Sequence, residues 1–345
     1  MAITLLINTM STPTVSIIVP NYNHAPYLQQ RLDSIYNQTF QDFEVIILDD
    51  CSTDNSKEII EKYRNKPQTS HIVYNEVNSG SPFKQWAKGF DLAQGEYIWI
   101  AESDDWAELN FLAEIVPILN RDTSLVLAFC ESFFEYPNKS ITFPLIIKKT
   151  YLSGIDFIKS RQIISNSIVN ASSVVFRKKT LESISSDYQN FSGSGDYIFW
   201  SYLCECGNIY YIKKILNHFR RHSSTTTSKC IATGKTYFEN FRIYEYFKSK
   251  GYVSTLANYR IIENELGQIE IFKKDLLQNG CYDKCRSIWE KELKLNGFRS
   301  HILLFWARQI NKYYNLPLYA KIWKFLHLPD TDFRGKIKQF FLSSR

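Results

Sequence analysis

No glycine precedes Gly80 in this chain of 345 residues. The two glycine-rich phosphate cradles of α/β proteins, G-x-G-x-x-G and the P-loop, occupy early strand-to-helix turns. They need glycine there to bring backbone N–H groups onto phosphate, so neither is available. Any phosphate held here has to be held by other means, such as a metal or a basic side chain. No apolar run approaches the about 20 residues that cross a bilayer. Residues 1–10 (MAITLLINTM) lack the basic region of a secretory signal. Cysteine is present at 51, 130, 204, 206, 230, 281 and 285, without a C-x-x-C pair. The odd number and irregular spacing argue against a zinc site and a disulfide framework, and for reduced thiols in the cytoplasm. The expected location is therefore cytoplasmic, either soluble or peripheral on the inner face of the plasma membrane. The net charge, 41 − 35 = +6, is too slight to imply a nucleic acid partner. With 44% hydrophobic and 22% charged residues the chain is globular rather than disordered. Its length suits one large domain or two unequal ones.

Short apolar runs alternate with helical patterns through the first half. Residues 15–20 (VSIIVP), 43–49 (FEVIILD), 71–74 (HIVY) and 97–101 (YIWIA) read as strands, apolar almost throughout as buried parallel strands are. Residues 27–37, 56–64 and 83–93 read as helices, the second started by Asp54 or Asn55. The alternation implies an α/β fold with a mostly parallel central sheet flanked by helices. A further strand pair is expected near 171–177 and 210–221. Past residue 229 the chain turns helical, basic and aromatic, which divides it into 1–228 and 229–345.

Three acidic clusters follow this pattern. Asp49 and Asp50 end the second strand, Glu102, Ser103, Asp104 and Asp105 follow the fourth, and Asp196 follows the turn Gly193-Ser194-Gly195. Ligands of open parallel sheets bind beyond the carboxyl ends of the strands. A single such cluster reads equally well as a helix cap or a turn. Acids gathered repeatedly at strand ends repel one another unless a cation or ligand offsets them. The cluster at 102–105 offers the hard oxygen ligands that Mg²⁺ or Mn²⁺ prefers, with substrate phosphates completing the shell.

Residues 15–23 (VSIIVPNYN), 36–40 (YNQTF), 43–56 (FEVIILDDCSTDNS) and 95–106 (GEYIWIAESDDW) together resemble the family 2 glycosyltransferases of GT-A fold. The resemblance runs over about residues 14–222. It implies an inverting enzyme that moves a sugar from a nucleotide diphosphate sugar to a glycan or lipid-linked acceptor, with Mn²⁺ or Mg²⁺ as cofactor. It also implies a role in surface polysaccharide, lipopolysaccharide or related synthesis. By that resemblance Asp50 accepts the N3–H of the base, which favours a UDP- or dTDP-type donor, and Pro20, Asn21 and Tyr22 line base and ribose. Ser103 contacts the donor, Asp104 and then Asp105 hold the metal, and Asp196 in SGSGDYIFW is the catalytic base. Glu102 stands where the family has Asp. His222, in FRRHSSTTT, joins the metal and diphosphate; Arg221 or Arg220 reaches the diphosphate, and Lys84, after Asn78-Ser79-Gly80, reaches phosphate. Trp86 departs from the family's usual Asn and reads as core or as a wall of the donor pocket. Asp196 can equally cap the helix after it, and a base can also be a cap.

Residues 297–345 carry nine Lys and Arg against Asp330 and Asp332, with Leu, Phe and Trp between them. The pattern is that of an interfacial helix on an anionic membrane, and equally that of a surface packed on the catalytic domain or forming a homodimer. A nucleotidyltransferase needs a glycine-rich loop after the first strand, and PNYNHAPYL supplies none. A processive synthase needs membrane spans and Q-x-x-R-W. An inactive nucleotide-sugar-binding scaffold is the alternative function, and it is disfavoured by the presence of both Asp104 and Asp196.

Overall fold

β1 (Val15–Asn21) buries all seven of its residues. α1 (Ala25–Tyr36) follows, and then β2 (Phe43–Asp49), also buried throughout. The polar residue inside β2, Glu44, is accommodated because Ser16 Oγ donates to its carboxylate at 2.6 Å and Gln94 N at 2.7 Å. α2 (Ser56–Glu61), β3 (Thr69–Tyr74), α3 (Pro82–Leu92) and β4 (Tyr97–Ile100) complete the first half. The structure is a computed structural model that describes residues 12–136, 139–142, 149–221 and 226–295.

The second half contains β5 (Trp106–Ala107), α4 (Phe111–Arg121), β6 (Leu125–Tyr136), β7 (Lys139–Thr142), β8 (Tyr151–Ser153), α5 (Gly154–Phe157), β9 (Val174–Arg177), α6 (Gly195–Glu205) and β10 (Asn208–Arg220). One sheet runs β3-β2-β1-β4-β9-β6-β10-β5, with β7 joined to β6 and β8 to β10. The expected α/β sheet flanked by helices is present. It is parallel across β3-β2-β1-β4 and mixed beyond, because β9 runs antiparallel to both β4 and β6. The strands near 171–177 and 210–221 do not pair with each other as expected, since β6 lies between them and pairs with both. β6 itself was not read from the sequence.

This order decides where the chemistry sits. β1, β2 and β4 are parallel neighbours, so residues 21–25, 49–54 and 101–105 emerge side by side at their carboxyl ends. Because β9 is reversed, its start and the turn 170–173 lie at that same edge. β10 pairs with β5 (Asn217↔Ala107, His218↔Trp106) and so delivers Arg220 there too. On one face of the sheet α1 and α4 pack Leu28, Leu32, Phe111 and Ile115 onto Ile17, Val45 and Trp99. On the other, Trp86 and Phe90 of α3 meet Phe176, Phe199 and Trp200. Such ring pairs contribute about 0.5–1.5 kcal/mol each beyond their burial.

α7 (Thr226–Ala232) and α8 (Lys235–Ser249) belong to the compact unit that ends at Tyr252. The boundary expected at 228 therefore falls later. The reason is that α8 buries Tyr237, Ile243, Tyr244 and Phe247 and bonds directly to residues 192–194. The second unit begins at Val253; in its described part, α9 (Thr255–Ile271) packs on α11 (Tyr282–Leu295), with α10 (Lys273–Gln278) between them in sequence. Among the described residues no helix is long and apolar enough to cross a membrane. Residues 297–345 and His222, both singled out from sequence, lie outside the described residues.

Candidate active site

In-register pairing sets Asn21 opposite Asp49. Asn21 Nδ2 donates to Asp49 Oδ2 at 2.8 Å and to Ser52 Oγ at 3.2 Å. Asn23 and Cys51 are held at φ +56° and +64°, a left-handed conformation unusual for residues other than glycine. The two loops are clamped to each other. Asn23 Oδ1 accepts Thr53 N at 2.7 Å, and Asp54 accepts Ala25 N at 2.9 Å and Ser56 N at 3.0 Å. Burial alone would raise the Asp54 pKa, but these bonds outweigh it and hold the carboxyl below the usual range. Asn55 is the N-cap residue of α2 but makes no side-chain cap bond, so Asp54 supplies that contact.

Asp50 is buried at the end of β2. Its Oδ1 accepts Asn75 Nδ2 (2.7 Å), Ser79 N (2.8 Å) and Gln85 Nε2 (3.0 Å), while Oδ2 accepts Ser79 Oγ (2.8 Å). The Asn78-Ser79-Gly80 turn, with Gly80 at φ +74°, thus serves to orient Asp50. Oδ2 is the less loaded oxygen and has room for one more donor. Tyr22 is 46% exposed beside it. Pro20 and Asn21 are buried beneath, and Asn21 spends its amide on Asp49 and Ser52.

The acidic loop is held from several sides. Asp105 is fully buried, and both of its oxygens are engaged, with Asn170 Nδ2 and Ser172 Oγ each at 2.8 Å and Arg220 N at 3.1 Å. Arg220 also donates Nη1 to Asp104 O at 2.9 Å. Glu102 Oε1 accepts Trp86 Nε1 at 2.9 Å. Burial and the nearby Asp104 charge push Glu102 up to about 8 and Asp105 up to about 7. Asp104 has a side chain 14% exposed, and its Oδ2 lies 4.0 Å from His24 Nε2. His24 Nδ1 is hydrogen-bonded to Ser103 Oγ at 2.7 Å. Beneath the loop, Arg31 of α1 is fully buried 5.0 Å over the Trp99 ring, and none of its three guanidinium nitrogens has a hydrogen-bond partner among the described residues. Burial lowers its pKa to about 10 against the opposing pull of Asp105, Glu102 and Asp104.

Asp196 lies in the first turn of α6, after the N-cap residue Ser194. Its Oδ2 accepts Asn166 Nδ2 at 2.9 Å and its Oδ1 accepts Tyr197 N at 2.8 Å. Burial pushes its pKa up to about 7, over the opposing effect of these two bonds and with a small addition from Glu239. A carboxylate so placed is poised to exchange a proton near neutrality.

α3 touches all three acidic clusters. Gln85 reaches Asp50, Trp86 reaches Glu102, and the Phe83 ring lies where a Cβ on Gly195 would stand, at 2.5 Å. Lys84, on the same helix, is exposed, and its Nζ donates to Ser79 O at 3.2 Å. Arg221 stacks 5.0 Å over Phe219. A divalent cation fits this donor set only in part. Both oxygens of Asp105 are engaged, the Asp104 side chain is 14% exposed, and no three His, Cys, Asp or Glu groups converge on a metal position among the described residues. A donor set of this kind would hold a cation only with one or two carboxylates acting beside substrate phosphates. Sequence reading missed His24, Arg31 and the Asp105 cage, because their partners are distant in the chain. A surface hollow lined by Asp91, Glu96, Lys178 and Tyr188 sits near the start of β4 and contains none of these groups.

The sheet thus carries a D-x-D-like acidic loop at its carboxyl edge and a half-buried carboxylate after a glycine turn. Residues 16–179 match the model of Glycosyl transferase family 2, and this stretch of the chain belongs to that family. Poly(ribitol-phosphate) beta-N-acetylglucosaminyltransferase TarS of Staphylococcus aureus is 38% identical over 114 residues, 32% of this chain and 20% of TarS. Glycosyltransferase GlyG of Streptococcus pneumoniae is 31% identical over 144 residues, 41% of this chain and 45% of GlyG. The chain thus matches less than half the length of these relatives. The structure of S. aureus TarS 1-349 in complex with UDP-GlcNAc superposes with TM-score 0.57 at 20% identity, covering 80% of this chain and 90% of that one. A mannosyltransferase from Pyrobaculum calidifontis, in complex with GDP-Man and Mn²⁺, superposes with TM-score 0.50 at 16% identity, covering 82% of this chain and 86% of that one. Identities this low speak for the shared GT-A fold.

Proposed function

We propose that the chain is an inverting glycosyltransferase. It moves a sugar from a nucleotide diphosphate sugar of UDP or dTDP type to a hydroxyl of a glycan or lipid-linked acceptor, in making a surface polysaccharide or related glycoconjugate. The observation that carries this reading is the contact of one helix, α3, with the Asp50, Glu102–Asp105 and Asp196 loops. Asp50 takes the N3–H of the base on Oδ2, and Pro20, Asn21, Tyr22 and Ser103 shape the nucleoside side of the pocket. Asp104, with His222 and the donor's diphosphate, would hold Mn²⁺ or Mg²⁺, and Asp105 stiffens the loop from below. Such a cation, when bound, offsets the charge that builds on the departing diphosphate. Lys84 and Arg221 supply further positive charge to it. Asp196 takes the proton of the acceptor hydroxyl as that oxygen attacks the anomeric carbon. The bond from that carbon to the diphosphate oxygen breaks on the opposite face, its electron pair leaving with the diphosphate. A single displacement inverts the anomeric configuration.

The names of the relatives support the polymer class: TarS acts on poly(ribitol-phosphate), and a Bacillus subtilis relative is assigned to teichuronic acid biosynthesis. The test is a screen of sugar nucleotides with Mn²⁺ or Mg²⁺ and glycan or lipid-linked acceptors. We expect nucleotide diphosphate release with one of them, and a product whose anomeric configuration by NMR is opposite to the donor's. Retained configuration would overturn the single displacement, and no release from any donor would overturn the reading. The same reading places the enzyme on the cytoplasmic membrane face or as a dimer through residues 229–345. Co-sedimentation with anionic vesicles and measurement of the solution mass separate the two.

A further inference from the structure

We infer that Glu239, on α8 and outside the stretch matched by the family model, is a positioning residue for Asp196; this rests on the reading of Asp196 as the base. Glu239 is 8% exposed. Its Oε1 accepts Ser192 N at 2.6 Å, and its Oε2 accepts Gly193 N at 2.9 Å and Ser194 N at 2.8 Å. Three consecutive backbone N–H groups thus converge on one carboxylate, and Asp196 follows two residues later. Only a carboxylate presents acceptors at both ends with no donor between them, and bonds to a charged acceptor are among the strong ones. The next residue, Asn240, accepts Ser194 Oγ at 2.9 Å, so two successive residues of α8 hold the same turn.

The turn has little freedom on its other sides. A Cβ at Gly193 would stand 2.8 Å from Cys230 Cβ on α7, and one at Gly195 would stand 2.5 Å from the Phe83 ring on α3. Glycine lets the turn fit that gap, and Glu239 fixes its height within it. Beside the neutral Asn166 and Tyr197 N, the Glu239 charge also bears on Asp196, as the smallest of the named effects. The carboxylate therefore acts twice on the base: it sets its position through the backbone, and it makes its ionisation harder through like charge.

The experiment compares the full-length wild type with Glu239→Gln, Glu239→Asp and Asp196→Asn, using the sugar nucleotide identified in the donor screen. In Glu239→Gln the amide oxygen can serve Gly193 N and Ser194 N, but the NH₂ is then left facing Ser192 N, and the charge is gone. We expect kcat to fall by about 10²-fold, as misplacement of a reacting group does. The KM for the donor should stay within about twofold, because the nucleotide half is held elsewhere. The acid limb of the kcat profile should move to lower pH. Glu239→Asp keeps the charge, so it should lose part of kcat while its acid limb stays at the wild-type pH. Wild-type kcat in Glu239→Gln, or a donor KM that rises in step with the fall in kcat, would overturn the proposal. If Glu239→Gln does not fold, Glu239→Asp decides: lowered kcat at unchanged donor KM supports the role, and unchanged kcat overturns it. Failure of the underlying reading shows separately, as an Asp196→Asn enzyme that transfers at the wild-type rate whatever the Glu239 variants do.

Discussion

The tasks proposed for the Asp196 and Asp104 carboxylates are opposite, and their surroundings separate them. Asp196 is half-buried, and desolvation pushes its pKa up to about 7. As a base it acts only when ionised, so kcat should rise with pH through about 7 and level off above it. Asp196→Asn should lower transfer by about 10²–10⁴-fold while leaving donor binding in place. The sign for stability is the reverse. A carboxyl whose folded pKa is raised contributes stability that is fully present below its ordinary value of 3.8 and is lost as pH rises through about 7. Melting curves of Asp196→Asn should accordingly lack that part of the decline between about pH 4 and pH 7. Asp104, 14% exposed beside His24, carries the metal side of the proposal. Asp104→Ala should weaken nucleotide diphosphate binding in Mn²⁺ and change little in chelator, as read by calorimetry. Equal affinities in all four combinations would remove the metal from the account.

At the scale of elements, α3 is the piece on which the site depends. Its neighbours Phe83, Gln85 and Trp86 face three different acid loops, so a small shift of this helix disturbs all of them. Gly195→Ala should produce such a shift, because the new methyl meets the Phe83 ring at 2.5 Å. Overpacking of this kind costs about 1–3 kcal/mol, readable as a lowered denaturant midpoint, and kcat should fall with it. Much of this half was legible in the sequence. β1, β2 and β4 are continuous apolar runs, and the acids stand at their ends. The second half was less so. The segment LVLAFCESFFEY of β6 carries no turn signal that marks it, and nothing local reveals that β9 inserts in reverse between β4 and β6. The D-x-D resemblance puts Asp105 second to Asp104 as a metal ligand, and only the fold shows Asn170, Ser172 and Arg220 closing around it. Glu239 had no motif, since its partners are backbone N–H groups more than forty residues away.

For the molecule as a whole, the family match stops at residue 179 while the compact unit runs to Tyr252. A chain ending at 252 should unfold cooperatively and bind nucleotide diphosphate with Mn²⁺. One ending at 228 removes Glu239 and the buried face of α8, and should melt lower and transfer no sugar. A last consequence follows from Arg31. Replacing the acids of an enzyme site commonly raises stability, because function there is maintained against the fold. Here the buried guanidinium is balanced chiefly by Asp105, Glu102 and Asp104, and removing a partner from a buried charge is strongly destabilising. Asp105→Asn should therefore lower Tm, and Arg31→Met should lessen that loss when combined with it. Selection on folding alone would then favour Asp105, Glu102 and Asp104 in any descendant that kept Arg31, even after catalysis had been lost. Among such descendants, the survival of these three acids would say nothing about activity, and the history of Asp196 would have to be read instead.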